Sequence, residues 1–143
     1  MEFKKIHLYG SDIEDYEVLS SLIQDAAIPT SEMKFDKVEK QFFLVCSRFS
    51  WESRLQNKGN KRIVSGICFD NVIEVKKKNF PSFNSENILN FLTLKKERGF
   101  IELIFSNNIL IKLVGNNISF RIDDLNKEWP TIFSPNHKKL DDE

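Results

Sequence analysis

The segment Gln41-Phe-Phe-Leu-Val-Cys-Ser-Arg-Phe-Ser-Trp-Glu52 decides the fold of this chain. At a period of two residues, Phe43, Val45, Phe49 and Trp51 fall on one face, with Ser47 among them. The other face starts with apolar side chains and turns polar from Arg48 onward. The segment contains neither Pro nor Gly, so it predicts a long strand, buried on both sides at its start and half-exposed at its end.

The composition is that of a globular protein. The 143 residues suit one domain, and 41% hydrophobic with 29% charged residues argue against a disordered chain. Lys and Arg number 21, as do Asp and Glu, so the formal charge is zero and nothing attracts the whole chain to nucleic acid or anionic membrane. We predict one α+β domain over residues 1–129 and an extended C-terminal tail over 130–143.

The sequence favours a cytoplasmic protein without cofactors. No apolar run reaches the roughly 18 residues of a membrane-spanning helix, and the N-terminus lacks the core of a signal peptide. The two cysteines, Cys46 and Cys68, lie in apolar predicted strands. Buried free thiols are therefore expected there, rather than a disulfide or a metal site.

One helix is expected near the N-terminus, after a first strand over Phe3–Tyr9. Ser11 is the predicted N-cap, and Glu14 completes a capping box three residues later. Apolar residues then recur at helical spacing on one side, namely Val18, Leu19, Leu22, Ile23 and Ala26. Pro29 ends the helix.

The chain from Thr30 to Val114 is predicted to form antiparallel hairpins. A two-residue turn at Asp70-Asn71 would pair Lys61–Phe69 with Val72–Lys78, since both turn residues tolerate positive φ. A meander is expected farther on, with strands at Ile88–Lys95, Phe100–Phe105 and Ile109–Val114.

Beyond Gly115 two interpretations compete. Ile118, Phe120 and Ile122 alternate as in a strand, whereas Ile118, Ile122, Leu125 and Trp129 also share one helical face, with Asn117 as N-cap. We favour the helix. The predicted fold class is α+β: a strongly curved antiparallel sheet or small barrel of hairpins, with an N-terminal helix after the first strand and a short C-terminal helix.

The order of these motifs is similar to that of a known family. The similarity lies in four segments: Val18-Leu-Ser-Ser-Leu-Ile-Gln-Asp-Ala26, Arg48-Phe-Ser-Trp-Glu52, Phe69-Asp-Asn-Val72, and Trp129-Pro-Thr131 with Pro135 and His137. Together they resemble an uncharacterised, largely alphaproteobacterial domain-of-unknown-function family of small proteins. The resemblance implies a bacterial, cytoplasmic protein and brings no activity, cofactor or catalytic residue with it.

Enzymatic chemistry is not expected. The histidines, His7 and His137, lie on a short strand and in the tail, without neighbours that resemble a triad or a metal cluster. The glycines form neither a dinucleotide-binding nor a phosphate-binding loop. We predict no catalytic, cofactor-binding or metal-binding residues.

Two sets of residues are candidates for binding another protein. Arg48, Trp51 and Glu52 combine the side chains that dominate interfaces, although burial of Trp51 in the core is the favoured alternative. Gln24 and Asp25 end the helix, where a contact surface and a local structural role are equally supported.

A basic cluster is the candidate for binding an anion. The predicted hairpin would gather Lys58, Lys61, Arg62, Lys76, Lys77 and Lys78 at one end. The favoured alternative is that these lysines protect a sheet edge from pairing with other chains. We therefore predict a non-catalytic adaptor or accessory module that binds a protein, with an anion binder (RNA or a lipid headgroup) as the less favoured hypothesis.

Overall fold

The computed structural model describes residues 5–49, 62–81 and 87–125. Within them lie one α-helix, α1 (Ile13–Leu22), and 3-10 turns at Thr30–Glu32 and Ser106–Asn108. The strands are β1 (His7–Gly10), β2 (Ala27–Pro29), β3 (Lys34–Asp36), β4 (Gln41–Phe49), β5 (Arg62–Asp70), β6 (Glu74–Lys78), β7 (Ile88–Glu97), β8 (Phe100–Phe105), β9 (Leu110–Val114) and β10 (Ser119–Asp124). The predicted tail over 130–143 lies outside the described residues.

The described strands form one antiparallel sheet that is not closed. Its order is β1-β10-β5-β4-β2-β7-β8-β9-β6, and β3 pairs with the first residues of β4. The predicted α+β class is therefore wrong: the described part of the molecule is mainly antiparallel sheet with a single helix, and the sheet does not close into the small barrel that was the alternative to a curved sheet. The meander of β7, β8 and β9 is confirmed.

The strand β4 is confirmed, but its burial differs from the prediction: the face of Phe43, Val45 and Phe49 is mostly half-buried, and Arg48, expected on the half-exposed end, is fully buried. Its fully buried side chains are Phe42, Leu44, Cys46, Ser47 and Arg48, whereas Phe43, Val45 and Phe49 are half-buried. β4 lies between β5 on one side and β2 and β3 on the other, so both faces carry apolar side chains. Only the neighbouring layers decide which face becomes core, and they are not visible in β4 alone.

The sheet folds over a single hydrophobic core. Val72 N–H donates to the Lys40 carbonyl at 2.9 Å, and Ile73 N–H donates to the Val114 carbonyl at 2.8 Å. These adjacent residues thus connect the β4 side of the sheet with the β9 side. The enclosed core joins apolar side chains of both halves, including Phe42, Leu44, Ile67, Phe69, Phe91, Leu103, Phe105, Ile111 and Phe120.

The predicted hairpin at Asp70-Asn71 is wrong. β5 pairs with β4 and β10, whereas β6 pairs with β9 at the far end of the sheet. Asn71 has the positive φ (70°) that the turn required, but the chain crosses between the two halves of the sheet instead of reversing. Both edges of β5 are already hydrogen-bonded, one to β4 and the other to β10. β6 therefore pairs with the free edge of β9.

The predicted C-terminal helix is also wrong. Residues Ser119–Asp124 form β10, which lies between β1 and β5. The alternating residues Ile118, Phe120 and Ile122 are all buried, as the strand interpretation required. Asn117, the expected N-cap, has φ 58° and belongs to the turn before β10.

Helix α1 is confirmed with a shifted start. Asp12, not Ser11, is the N-cap, and the capping box joins Asp12 to Asp15. Tyr16, Leu19 and Ile23 point into the core, while Val18 from the predicted apolar stripe is 55% exposed. The helix covers the core next to β1 and β7.

Candidate functional site

The candidate residues are spread over separate places. Trp51, Glu52, Lys58 and Lys61 lie outside the described residues. Arg48 is completely buried, so it is not part of an exposed partner surface. The others lie on the surface: Gln24 and Asp25 follow α1, Arg62 begins β5, and β6 carries the three lysines.

Arg48 forms an ion pair with Asp124 inside the molecule. Its Nη2 lies 2.9 Å from Asp124 Oδ2 and its Nε lies 3.2 Å from Oδ1, so the contact is bidentate. Ser65 Oγ donates to Asp124 Oδ1 at 2.6 Å, and the backbone N–H of Ile6 donates to Oδ2 at 2.8 Å. Both charged side chains have no solvent exposure, so this cluster stabilises the fold and offers nothing to a ligand.

The partners of Arg48 were missed from the sequence, although a signal exists. In the register of the sheet Asp124 lies opposite Ser65, and Ser65 lies opposite Cys46. Asp124 continues the buried phase of β10, just as Arg48 continues the buried phase of β4. Two opposite charges, each at the end of an apolar phase, predict a buried pair once both segments are recognised as strands.

Two buried side chains, the thiol of Cys46 and the hydroxyl of Tyr16, have raised pKa values. Burial raises the pKa of the Cys46 thiol to about 12, with nearby Arg48 lowering it and Asp124 raising it. Burial also raises the pKa of Tyr16, whose hydroxyl donates to the Ile118 carbonyl at 2.8 Å. Both groups therefore stay neutral at ordinary pH, which suits a structural role.

A second polar cluster lies on the outer face of the sheet. Arg121 Nη2 lies 3.1 Å from Cys68 Sγ, and its Nε lies 3.4 Å from Asp70 Oδ2. Gln41 Nε2 donates to Asp70 Oδ1 at 2.8 Å. Burial, followed by the charge of Asp70, raises the pKa of Cys68, so this thiol is not activated as a nucleophile.

The lysines of β6 lie on a strand that no other described strand pairs on its outer side. Lys76 lies opposite Lys112 of β9, and Lys78 lies opposite Leu110, so these four share the outer face of the sheet. We call them the lysine face. Lys77 points to the other side, where its Nζ lies 4.5 Å from the centre of the Phe80 ring.

Arg62 is not joined to these lysines by strand pairing. It lies on β5, where its Nη1 donates to the Ser47 carbonyl at 2.9 Å, and its guanidinium lies 4.3 Å from the centre of the Phe49 ring. Since β5 and β6 do not pair, the predicted hairpin end does not gather the basic residues. The basic surface is instead formed by β6 and β9.

The exposed side of α1 forms a shallow, open surface. Its residues are Glu14, Glu17, Val18, Ser21, Leu22 and Gln24, and we call it the helix face. Gln24, a predicted partner-binding residue, therefore lies among them. Asp25 instead lies in the turn between α1 and β2 with φ 65°, and its N–H donates to the Phe91 carbonyl at 2.9 Å, which is a local structural role.

The charged residues of the helix face are Glu14 and Glu17, and the cations next to it, Lys95 and Lys96, belong to β7 and line the groove on its Glu17 side. Residues 6–33 contain no Lys or Arg, and their acidic residues are Asp12, Glu14, Asp15, Glu17, Asp25 and Glu32. Asp15 accepts hydrogen bonds from the backbone N–H groups of Ser11 and Asp12, which lower its pKa. The Asp15 carboxylate in the first turn of α1 thus remains charged.

Comparison with known proteins gives the family of the chain. The model of a protein family of unknown function, DUF2948, matches residues 6–137. The chain belongs to this family. No curated protein and no solved structure matches the chain. Membership confirms the resemblance of the sequence to a domain of unknown function, and it assigns no chemistry to any residue.

The described residues, 5–49, 62–81 and 87–125, contain neither a candidate metal-binding cluster nor a candidate membrane-spanning helix. In these segments no group of three or more His, Cys, Asp or Glu side chains is placed to hold a metal ion. No helix there is long and apolar enough to cross a membrane. His7 and Asp123 contact each other on the surface, where the His7 side chain is 87% exposed.

Proposed function

We propose that this member of DUF2948 is a non-catalytic protein-interaction module, and that it binds a basic protein surface through the helix face. The carrying observation is an apolar side chain, Val18, exposed at 55% in the middle of an acidic surface. Half-buried Leu22 extends the apolar part, and Glu14 and Glu17 flank it. An apolar centre with a charged rim is the usual anatomy of a protein interface.

The non-catalytic part of the proposal is supported by the state of the polar clusters. Arg48 and Asp124 neutralise each other without access to solvent, and Arg121 contacts both Cys68 and Asp70. The cysteine pKa values are raised, the opposite of what a nucleophile requires. In line with the sequence resemblance, we place the module in the bacterial cytoplasm.

The test is a comparison of tagged variants purified from the native cell. The helix variant carries Glu14→Lys and Glu17→Lys, which reverse the rim of the helix face. A control carries Val38→Lys and Glu39→Lys, which add three units of positive charge, against four in the helix variant, at exposed positions of the turn before β4. We expect proteins that co-purify with the wild type and the control to be lost with the helix variant. Equal recovery with all three forms would contradict the proposal.

A second candidate function is the binding of an anionic ligand by β6 and β9. The specific observation is that aromatic rings accompany the lysines: Lys112 Nζ lies 4.4 Å from the centre of the Phe100 ring, and Lys77 lies over Phe80. The sequence alone did not indicate this pairing, which resembles a stacking platform beside cations. Glu102, opposite Lys112, weakens the positive potential there, so we rank this function second.

The second candidate is tested with RNA oligonucleotides and with vesicles that contain acidic lipid. The chain with Lys76→Glu and Lys78→Glu, which we call the strand variant, should lose binding to either probe. Wild-type affinity should fall steeply with salt, since binding to phosphates releases counterions. Binding of the strand variant at wild-type affinity would exclude this function.

A further inference from the structure

We infer that the helix face of one copy of this chain docks on the lysine face of a second copy. The inference rests on the proposed function, because it names the basic surface that the helix face binds. Two features of the molecule support it: the helix face and the lysine face carry opposite charges, and each has apolar side chains at its centre.

The charges of the chain are separated although their sum is zero. The segment 6–33 contributes acidic side chains without a single Lys or Arg, and the cations that line the grooves beside α1, Lys95, Lys96 and Arg98, come from β7 and the turn after it. Lys76, Lys77 and Lys78 are the only three consecutive basic residues in the sequence. Zero formal charge also means that two copies do not repel each other as wholes, so local complementarity decides their contact.

The two faces match in chemistry beyond their charges. On the lysine face, Leu110 is half-buried between Lys78 and the neighbouring strand β8, where half-buried Ile104 lies opposite it. On the helix face, Val18 and Leu22 have the corresponding place between Glu14 and Glu17. Each surface thus has an apolar centre. The charges of the helix face are Glu14 and Glu17, whereas on the outer face of β6, β8 and β9 three lysines (Lys76, Lys78 and Lys112) outnumber Glu74 and Glu102, so the two surfaces are of opposite net sign.

The two faces cannot meet within one molecule. Helix α1 packs against β1 and β7, whereas β6 lies at the end of the sheet, beyond β8 and β9. Contact between them therefore joins two different copies. Because the two surfaces differ, the contact is heterologous: one copy keeps a free lysine face and the other keeps a free helix face. Repetition of the contact gives a closed ring or an open chain, not an isolated two-fold dimer.

Charge reversal on each face tests the inference without uncovering the sheet edge. The strand variant replaces lysines by glutamates, so β6 keeps the charges that protect an edge from pairing. The helix variant reverses the other face. Combining all four substitutions in one chain restores opposite signs at the contact and leaves the formal net charge at zero, as in the wild type.

Sedimentation velocity of the purified full chain is the measurement, over a range of protein concentrations. We expect concentration-dependent association of the wild type at low salt and its loss at about 1 M salt, where the Debye length is about 3 Å. Each two-site variant should associate at least about tenfold more weakly. The four-site variant should associate again, and so should an equimolar mixture of the two two-site variants. A chain with Lys34→Glu and Lys37→Glu, at exposed positions of β3 and its turn, should behave as the wild type.

The results separate this inference from the proposed function. A wild type that stays monomeric at low salt overturns the inference, while loss of co-purifying proteins with the helix variant still upholds the proposed function. Association that responds to the helix variant but not to the strand variant also overturns it, because the basic surface is then not β6. Failure of the four-site variant to associate, with circular dichroism showing intact folding, overturns the charge complementarity itself.

Discussion

Arg48 and Asp124 bridge two strands that are not neighbours. Arg48 lies on β4 and Asp124 lies on β10, and β5 runs between them. Strands in a sheet are about 4.8 Å apart, so the pair spans two such spacings, which the long arginine side chain covers. Arg48 also contacts Ser65 on the intervening strand at 3.2 Å, so one side chain fixes three strands in register.

We expect each half of this pair to be costly to remove alone. Arg48→Met leaves a buried carboxylate without its counter-charge, and Asp124→Leu leaves a buried guanidinium. Either change should lower the free energy of unfolding by about 3–5 kcal/mol. Urea denaturation measures it, in a cycle with the double variant Arg48→Met and Asp124→Leu.

The loss in free energy of unfolding of the double variant should be much smaller than the sum of the two single losses, because no unpaired charge remains. Asp123→Asn is the control, since Asp123 belongs to an exposed pair with His7 and should cost less than about 1 kcal/mol. Additive losses in the cycle would show that the two residues act independently.

Tyr16 is expected to contribute through its hydroxyl as well as its ring. The ring lies 4.8 Å from that of Phe120, and Tyr16→Phe preserves this packing. The substitution removes the donor to the buried Ile118 carbonyl, so we expect a loss of about 1–3 kcal/mol in the free energy of unfolding. Tyr9→Phe is the control, at a side chain that is 67% exposed. Equal stability of the two variants would mean that water replaces the lost donor.

Gly115 is expected to resist any larger side chain. A Cβ there would lie 2.1 Å from the carbonyl oxygen of Asn71, in the crossing that connects the two halves of the sheet. Gly115→Ala should therefore destabilise by about 1–3 kcal/mol. Gly66→Ala is the matched control, because its Cβ would lie 3.8 Å from Leu125, an ordinary contact. Thermal unfolding of both variants gives the comparison, and a tolerated Gly115→Ala would show that the crossing is free to shift.

Local patterns were sufficient where the partner strand is close in sequence. The alternation in Gln41–Phe49, the helical spacing around Leu19 and the meander from Ile88 to Val114 all depend on neighbours in the chain. These elements were predicted correctly for that reason. The sequence predicted part of the lysine face and of the helix face, because Lys76 and Lys78 are among its candidate anion-binding residues and Gln24 is among its candidate partner-binding residues.

Long-range pairing was beyond the sequence. Asp70-Asn71 has the chemistry of a tight turn, yet β5 already has both edges occupied by β4 and β10, so β6 pairs elsewhere. Residues 118–125 satisfied the helical and the strand spacing equally. They form a strand because the edges of β1 and β5 are both available to pair with them. Tertiary context commonly overrides local propensity in this way.

Alkaline pH is expected to destabilise the fold through Cys46. In the unfolded chain a thiol titrates near about 8.5, whereas burial holds the pKa of Cys46 at about 12 in the folded chain. Between these values the unfolded state binds fewer protons than the folded state. The free energy of unfolding therefore falls as pH rises, and the contribution is complete only below about pH 8.5. The raised pKa of Tyr16 acts in the same direction at higher pH.

Urea denaturation at a series of pH values from about 8 to about 11 checks this slope. Cys46→Ala should be less stable than the wild type near neutral pH, because the cavity is costly, but it should lose less stability per pH unit above about 8.5. Cys68→Ala is the comparison, since contact with Arg121 opposes the rise in the pKa of Cys68 and its removal should change the slope less. If the wild type and Cys46→Ala lose stability in parallel, the thiolate of Cys46 is solvated in the folded chain and the core is open at β4.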